Sequence, residues 1–182
     1  MNKTLKDKFN RVKLLVLDVD GILTDGRIIV NDQGRETKHF DVQDGFGIVL
    51  FQRAGFKVAI ISARASDAVK ARTTDLKISK VYLNARNKLK IYRQLAKSSG
   101  VNDQEVCFMG DDLPDLGVAQ TVGTVCTVPS AREEIRKEAD YVTSCSAGRG
   151  AVREVIELIL KSKGMWEDVV KEYASDQQVR NH

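Results

Sequence analysis

Proline, cysteine, histidine and an excess of charge of one sign are all scarce in this 182-residue chain, and each shortage closes off a class of protein. Only two prolines, Pro114 and Pro129, interrupt it, so hydrophobic periodicity carries the assignment of elements. The three cysteines, Cys107, Cys126 and Cys145, are odd in number and widely spaced, with no CxxC pair and only His39 and His182 as imidazole partners. Such a set argues against a zinc site and for reduced, structural thiols. The longest apolar runs, such as residues 14–17 and 58–61, are far shorter than the ~20 residues needed to cross a bilayer, so no integral membrane protein is expected. Residues 1–13 carry Lys3, Lys6, Asp7, Lys8, Arg11 and Lys13 with no apolar stretch among them. No secretory signal is expected there, and the cytoplasm is the expected compartment. A net charge of +4 with both signs interspersed is too mild to indicate nucleic acid, though it suits an anionic small molecule.

What the chain does have is an ordinary globular balance, 42% apolar and 30% charged residues, enough to bury a sizeable core as one domain over residues 1–182. Short continuous apolar runs at residues 12–17, 56–61, 106–109 and 122–128 are bounded by Gly, Asp or Ser, as expected of strands buried on both faces of a parallel sheet. Between them, Leu89, Tyr92, Leu95 and Ala96 have helical spacing, and Val152, Val155, Ile156, Ile159 and Leu160 form an apolar stripe ending near Gly164. The alternation predicts an α/β three-layer sandwich around a Rossmann-like parallel sheet with right-handed crossovers. Residues 26–40 break the rhythm: two β-prone arms flank Asn31-Asp32-Gln33-Gly34, which predicts a β-hairpin projecting from the end of the first strand. Its Ile28, Val30 and Phe40 have few neighbours in sequence to cover them, and another subunit is the economical cover. Residues 165–182 are expected to form a last helix, with Trp166, Val169, Val170 and Tyr173 at helical spacing, and then a polar tail from Ser175 to His182. That tail either frays or docks near a site on a neighbour.

The first strand runs into Asp18-Val19-Asp20-Gly21. Strand alternation places Asp18 and Asp20 on one side, at the carboxyl end where open parallel sheets bind ligands. Carboxylates this close repel, so a cation or a shared proton is needed to hold them, and Gly21 permits the sharp backbone departure that exposes them. A second acidic cluster, Gly110-Asp111-Asp112-Leu113-Pro114-Asp115, follows the run at 106–109. Helix capping accounts for one of its carboxylates but not for all three. Hard oxygen ligands from two neighbouring strand ends describe a Mg²⁺ site with positions open to water and a substrate phosphate. The run at 56–61 ends in Ser62-Ala63-Arg64, and Lys88 lies just inside a helix expected to open near Asn84. Hydroxyl, guanidinium and ammonium together are the donors a phosphoryl group requires.

Taken in order, DxDG, Ser62, Lys88 and GDDLPD resemble the haloacid dehalogenase superfamily of aspartate-nucleophile phosphatases. Over nearly the whole chain, LLVLDVDGILTDG, the FDVQDGFGI segment, GDDLPD, ADYVT and GRGAVREV are similar to one capless branch of that superfamily, the 3-deoxy-D-manno-octulosonate 8-phosphate phosphatases of lipopolysaccharide inner-core synthesis. The resemblance implies a haloacid dehalogenase-like fold without a separate cap domain, and a Mg²⁺-dependent homotetramer whose hairpins meet at the centre while neighbours help close each active site. It further implies that Asp18 is the nucleophile and Asp20 the general acid and base. Mg²⁺ would be held by Asp18, the main-chain carbonyl of Asp20 and Asp111. Ser62 and Lys88 would stabilise the phosphoryl oxygens, with Asp115 orienting Lys88 or a metal-bound water. The family's sugar-acid contacts fall on Asp20, Asp41, Val42, Gln43, Asp44, Gly45, Val49, Arg64, Arg72 and Lys88.

Arg64 and Arg72 lie on adjoining turns of one face if a helix begins near Ala65, and both would then meet an anionic substrate; a solvated helix face is the other reading of Arg72. Gly45-Phe46-Gly47 is no dinucleotide fingerprint, because Leu50 stands where the third glycine belongs, and the two glycines are expected to let backbone approach the ligand. Ala63 replaces the glycine common in relatives, which matters only if that position needs φ > 0. Two other functions compete: hydrolysis of the nine-carbon 2-keto-3-deoxynononic acid 9-phosphate, and a catalytically silent phosphatase-like assembly domain. The intact set of Asp18, Asp20, Ser62, Lys88 and Asp111 argues against the second.

Overall fold

All four apolar runs become strands, three of them trimmed at their ends and the run at 106–109 unchanged. A computed structural model describes residues 3–175, and the polar tail expected beyond Ser175, with His182, lies outside the described residues. In chain order the elements are α1 (Lys3–Arg11), β1 (Leu14–Leu17), β2 (Ile29–Val30), β3 (Glu36–Thr37), α2 (Val42–Arg53), β4 (Lys57–Ile61), α3 (Asp67–Asp75), β5 (Lys80–Tyr82), α4 (Lys88–Ser99), β6 (Val106–Met109), α5 (Leu116–Ala119), β7 (Thr124–Thr127), α6 (Glu133–Glu138), β8 (Tyr141–Val142), α7 (Ala151–Ser162) and α8 (Trp166–Ala174). Short 3₁₀ turns sit at Asp103–Glu105 and Leu113–Asp115. Among the described residues no helix is long and apolar enough to cross a membrane.

Six strands form one parallel sheet in the order β5-β4-β1-β6-β7-β8. The chain runs outward from β1 to β5, then returns to the other side of β1 and runs outward again. Every residue of β1, β6 and β7 is buried, as their unbroken apolar or small-residue character demands of strands covered on both faces. Helices α1 and α2 both pack on α7 on one face, while α4, α5 and α6 form the other layer. The predicted stripes are the faces that pack: Tyr92, Leu95 and Ala96 of α4 are buried, as are Val152, Val155, Ile156, Ile159 and Leu160 of α7. Burial of these side chains, at about 1.5–3 kcal/mol each, dominates the stabilisation. The helix that carries Trp166, Val169, Val170 and Tyr173 is present as α8, packed on α7 with none of its residues fully buried.

The hairpin is present but shorter than its predicted span. Ile29 pairs with Thr37 and Val30 with Glu36, and the Asn31 side chain closes the turn by accepting from the N–H groups of Gln33 and Arg35. Ile28, Ile29 and Val30 are exposed by 59%, 39% and 54%, so this arm is uncovered as expected. Phe40 is not: it packs against the main core.

Several boundaries differ from the expectation, each for a local reason. The helix after β4 starts at Asp67, not near Ala65, so Arg64 lies in the preceding loop and shares no helical face with Arg72. The helix bearing Lys88 opens there, capped by the Asn87 side chain on the N–H of Lys90, while Asn84 takes a left-handed φ of 56°. Ala63 is absent from the non-glycine residues with positive φ, so its replacement of glycine costs nothing in backbone strain. Gly45 and Gly47 lie inside α2 and make room for protein rather than ligand. A Cβ would come 2.0 Å from Arg72 Nη2 at Gly45 and 2.9 Å from Arg153 Cδ at Gly47.

Candidate active site

In an open sheet of this order, ligands bind outside the carboxyl ends of the strands where the chain reverses direction, here between β1 and β6. Asp18 and Asp20 follow β1, and Asp111, Asp112 and Asp115 follow β6. The Asp18 N–H donates to Met109 O at 2.9 Å, which extends the ladder by one residue and fixes the start of the acidic loop. One carboxylate oxygen from each of Asp18, Asp111 and Asp115 lies within 4.8 Å of the others. Gly21 makes that convergence possible: its φ is +88°, and a Cβ there would sit 2.1 Å from Asp111 Oδ2.

Lys88 enters from the start of α4 and is buried between two of the acids. Its Nζ lies 2.9 Å from Asp18 Oδ2 and 2.5 Å from Asp115 Oδ1. The other oxygen of Asp115 accepts from the N–H groups of Asp111 at 3.0 Å and Asp112 at 3.3 Å. Fully engaged in this way, Asp115 orients Lys88 and shapes the loop. Ser62, also buried, accepts from the Arg64 N–H at 3.3 Å. An open cleft of about 230 Å³ joins Asp18, Asp20, Ser62, Arg64, Lys88 and Asp111.

The electrostatics of the cleft are those of a site in which carboxylates outnumber cations. Burial pushes the Asp18 carboxyl up to about 7, with Asp115 adding to the rise and Lys88 opposing it. Burial likewise pushes Asp111 up to about 7, reinforced by Asp115 and Asp112. Desolvation works against the charge of Lys88, but Asp18 and Asp115 outweigh it and hold its pKa above the usual lysine value. Asp111 Oδ1 is buried with no hydrogen-bond partner among the described residues. Crowded hard oxygens and an unpartnered buried acceptor are the donor set a divalent cation such as Mg²⁺ takes, so these residues fit that ion.

The Asp20 carboxylate, in the same cleft, has its own cationic partners. Lys38 Nζ meets its Oδ1 at 2.5 Å and Glu36 Oε1 at 2.9 Å, and Arg64 approaches both acids, at 3.7 and 3.2 Å. Lys38 and Glu36 escaped the sequence reading, because a lysine two residues beyond a glutamate in a hairpin arm has the signature of solvent exposure. Yet the Lys38 side chain is only 1% exposed. Desolvation opposes its charge, but the bonds to Asp20 and Glu36 prevail and raise its pKa, while the Lys38 bond holds Glu36 below the usual glutamate value.

The expected sugar-acid contacts do not all reach the cleft within one chain. Asp20, Arg64 and Lys88 line it; Asp41, Asp44, Gly45 and Arg72 line a separate small cavity beside Leu23 and Phe40. Asp41 caps α2, accepting from the N–H groups of Gln43 and Asp44. Asp44 is 1% exposed, and its carboxylate accepts from the N–H groups of Gly150 and Arg153, capping α7 from across the layer. Arg72 pairs with Asp75 at 2.7 Å, and Val42 is 77% exposed. Gln43 and Val49 also lie on α2, outside the cleft.

Comparison with known proteins gives one answer. Residues 62–156 match the haloacid dehalogenase-like hydrolase family. The chain is 40% identical over 157 residues to the 3-deoxy-D-manno-octulosonate 8-phosphate phosphatase KdsC of Escherichia coli (strain K12), covering 86% of this chain and 84% of that protein. The crystal structure of the Moraxella catarrhalis 3-deoxy-D-manno-octulosonate 8-phosphate phosphatase, in complex with magnesium ion, phosphate ion and KDO, superposes with a TM-score of 0.92 at 40% identity, covering 95% of this chain and 99% of that one. The cobalt-bound phosphatase YrbI from Haemophilus influenzae gives a TM-score of 0.88 at 32% identity over 92% of this chain and 99% of that one. With an acidic cleft at the sheet's switch point, and with relatives matched along most of its length, the chain belongs to the haloacid dehalogenase-like hydrolases, within the branch of the 3-deoxy-D-manno-octulosonate 8-phosphate phosphatases.

Proposed function

We propose that the protein is a Mg²⁺-dependent phosphomonoesterase that hydrolyses 3-deoxy-D-manno-octulosonate 8-phosphate to the free sugar acid and phosphate, a step of lipopolysaccharide inner-core synthesis in the cytoplasm. The observation that carries this reading is the meeting of Asp18, Asp111 and Lys88 at the ends of β1 and β6, in a cleft that also holds Ser62 and Asp20. An Asp18 oxygen attacks phosphorus as the bond from phosphorus to the sugar oxygen breaks, leaving an aspartyl phosphate. Asp20 gives its proton to the departing oxygen, then accepts one from the water that attacks the aspartyl phosphate and releases inorganic phosphate. Lys88 and the Ser62 hydroxyl face the charge on the phosphoryl oxygens, and Asp115 keeps Lys88 in place. Asp18, Asp111 and the main-chain carbonyl of Asp20 would hold Mg²⁺, whose charge offsets the repulsion between carboxylate and phosphate.

The single catalytic domain works in a homotetramer. The exposed Ile28, Ile29 and Val30 become buried between subunits, and a neighbour supplies exposed members of the sugar-acid set, such as Val42 and Gln43, that one chain does not bring to its own cleft. A phosphate-release assay across sugar-acid phosphates, with and without Mg²⁺, tests the reading. The eight-carbon ester should be the best substrate, with activity lost on chelation, restored by Mg²⁺, and absent from Asp18→Asn. A strong preference for the nine-carbon ester would reassign the substrate, and metal-independent turnover would overturn the mechanism.

A further inference from the structure

A general acid works only when its carboxyl is aimed at the departing oxygen, and Asp20 sits in the turn after β1. What holds it comes from the hairpin. Glu36 and Lys38 are two residues apart on the returning arm, so their side chains leave it on the same side. The Lys38 ammonium, its side chain 1% exposed, binds Asp20 Oδ1 at 2.5 Å and Glu36 Oε1 at 2.9 Å. Glu36 is itself held by Arg64 Nη2 at 3.2 Å, and Arg64 Nε lies 3.7 Å from the other Asp20 oxygen. The four side chains close a ring, with Lys38 as its buried member.

We propose that Lys38 is a positioning residue for Asp20: anchored by Glu36, it sets the direction of the Asp20 carboxyl relative to the leaving oxygen and so makes the hairpin part of the catalytic apparatus. The proposal rests on the reading of Asp20 as the general acid. Burying an ammonium costs free energy unless it is fully paired, and a lysine whose only task was to fix the hairpin would be better replaced by an apolar side chain. The position of Lys38, against Asp20 rather than against the acids around Asp18, accounts for the charge being there.

A leaving-group series separates positioning from folding and from binding. Esters whose leaving groups are poor, such as simple alkyl phosphates, need the proton in the transition state; p-nitrophenyl phosphate does not. For Lys38→Met, which keeps the buried stem, kcat/KM should fall about 10- to 100-fold on alkyl phosphates but no more than about 3-fold on p-nitrophenyl phosphate, steepening the dependence on leaving-group basicity. Glu36→Gln, at a partly exposed site that tolerates the change, should steepen it in the same sense. Asp20→Asn serves as the reference, with the steepest dependence of all. If both hairpin variants fold and lose activity by one common factor across the series while Asp20→Asn is steep, Lys38 does not position the acid. If Asp20→Asn itself keeps the wild-type dependence, the assignment of Asp20 as general acid fails instead.

Discussion

The residue that most constrains this site is Asp18, because the proposed attack requires its charge and its surroundings disfavour it. Burial first, and Asp115 second, push its carboxyl up to about 7, and Asp111 is raised to about 7 for the same leading reason. A carboxyl raised in this way binds its proton more tightly in the folded than in the unfolded chain. The stability it contributes is therefore full below the ordinary value of 3.8 and is lost as pH rises through about 7. Lys88, also raised, gives up its contribution only at far higher pH and leaves that window unchanged. A divalent ion held by the ionised carboxylates would restore what the proton supplied. Thermal unfolding should accordingly show the metal-free protein losing stability between pH about 4 and about 7. Mg²⁺ at about 100 times its Kd should add about 2.7 kcal/mol at the upper end and markedly less at the lower, where protons compete. A Mg²⁺ shift independent of pH would mean that these carboxyls do not hold the ion.

Among the elements, α2 and the hairpin do more than their sequences suggest. Asp44 looks like a ligand contact in the string DVQDG, yet its carboxylate caps α7 through the N–H groups of Gly150 and Arg153. Two charge-assisted bonds to otherwise unpaired helix donors predict that Asp44→Ala costs about 2 kcal/mol in urea unfolding, with any activity loss following the loss of folded protein rather than a change in KM. A raised KM with unaltered stability would return Asp44 to the binding site. The hairpin was legible as a pair of arms around Asn31 and Gly34, since turn chemistry is local. Its inward partners were not, because the burial of Lys38 arises only when the arm folds back on the loop after β1. Replacing Ile28 and Val30 by lysine should leave the fold intact but shift the species seen in light scattering to smaller mass; an unchanged mass would place the assembly surface elsewhere.

At the scale of the whole molecule, the order β5-β4-β1-β6-β7-β8 turns two sequence-distant acidic loops into one cleft. That much was readable in advance, because buried parallel strands advertise themselves as unbroken apolar runs and the acids follow directly behind them. Edge strands β5 and β8 were not, being three and two residues long and only partly covered. Helix α2 was hidden for a different reason: its buried set includes Asp44, Gly45 and Gly47 alongside Ile48, Leu50 and Phe51, so no clean apolar stripe marks it. The division of labour among the acids also needed the fold, which commits Asp115 to Lys88 and Asp20 to Lys38, shares Lys88 with Asp18, and leaves Asp111 Oδ1 buried without a hydrogen-bond partner. The chemistry proposed for this arrangement is two successive in-line displacements at phosphorus, the first by Asp18 and the second by water. The stereochemical course measures it directly, using the phosphorothioate analogue of 3-deoxy-D-manno-octulosonate 8-phosphate, made chiral with one heavy oxygen isotope and hydrolysed in water carrying the other, so that the released thiophosphate is chiral: the account predicts overall retention of configuration, and inversion, the mark of a single attack by water, would contradict it.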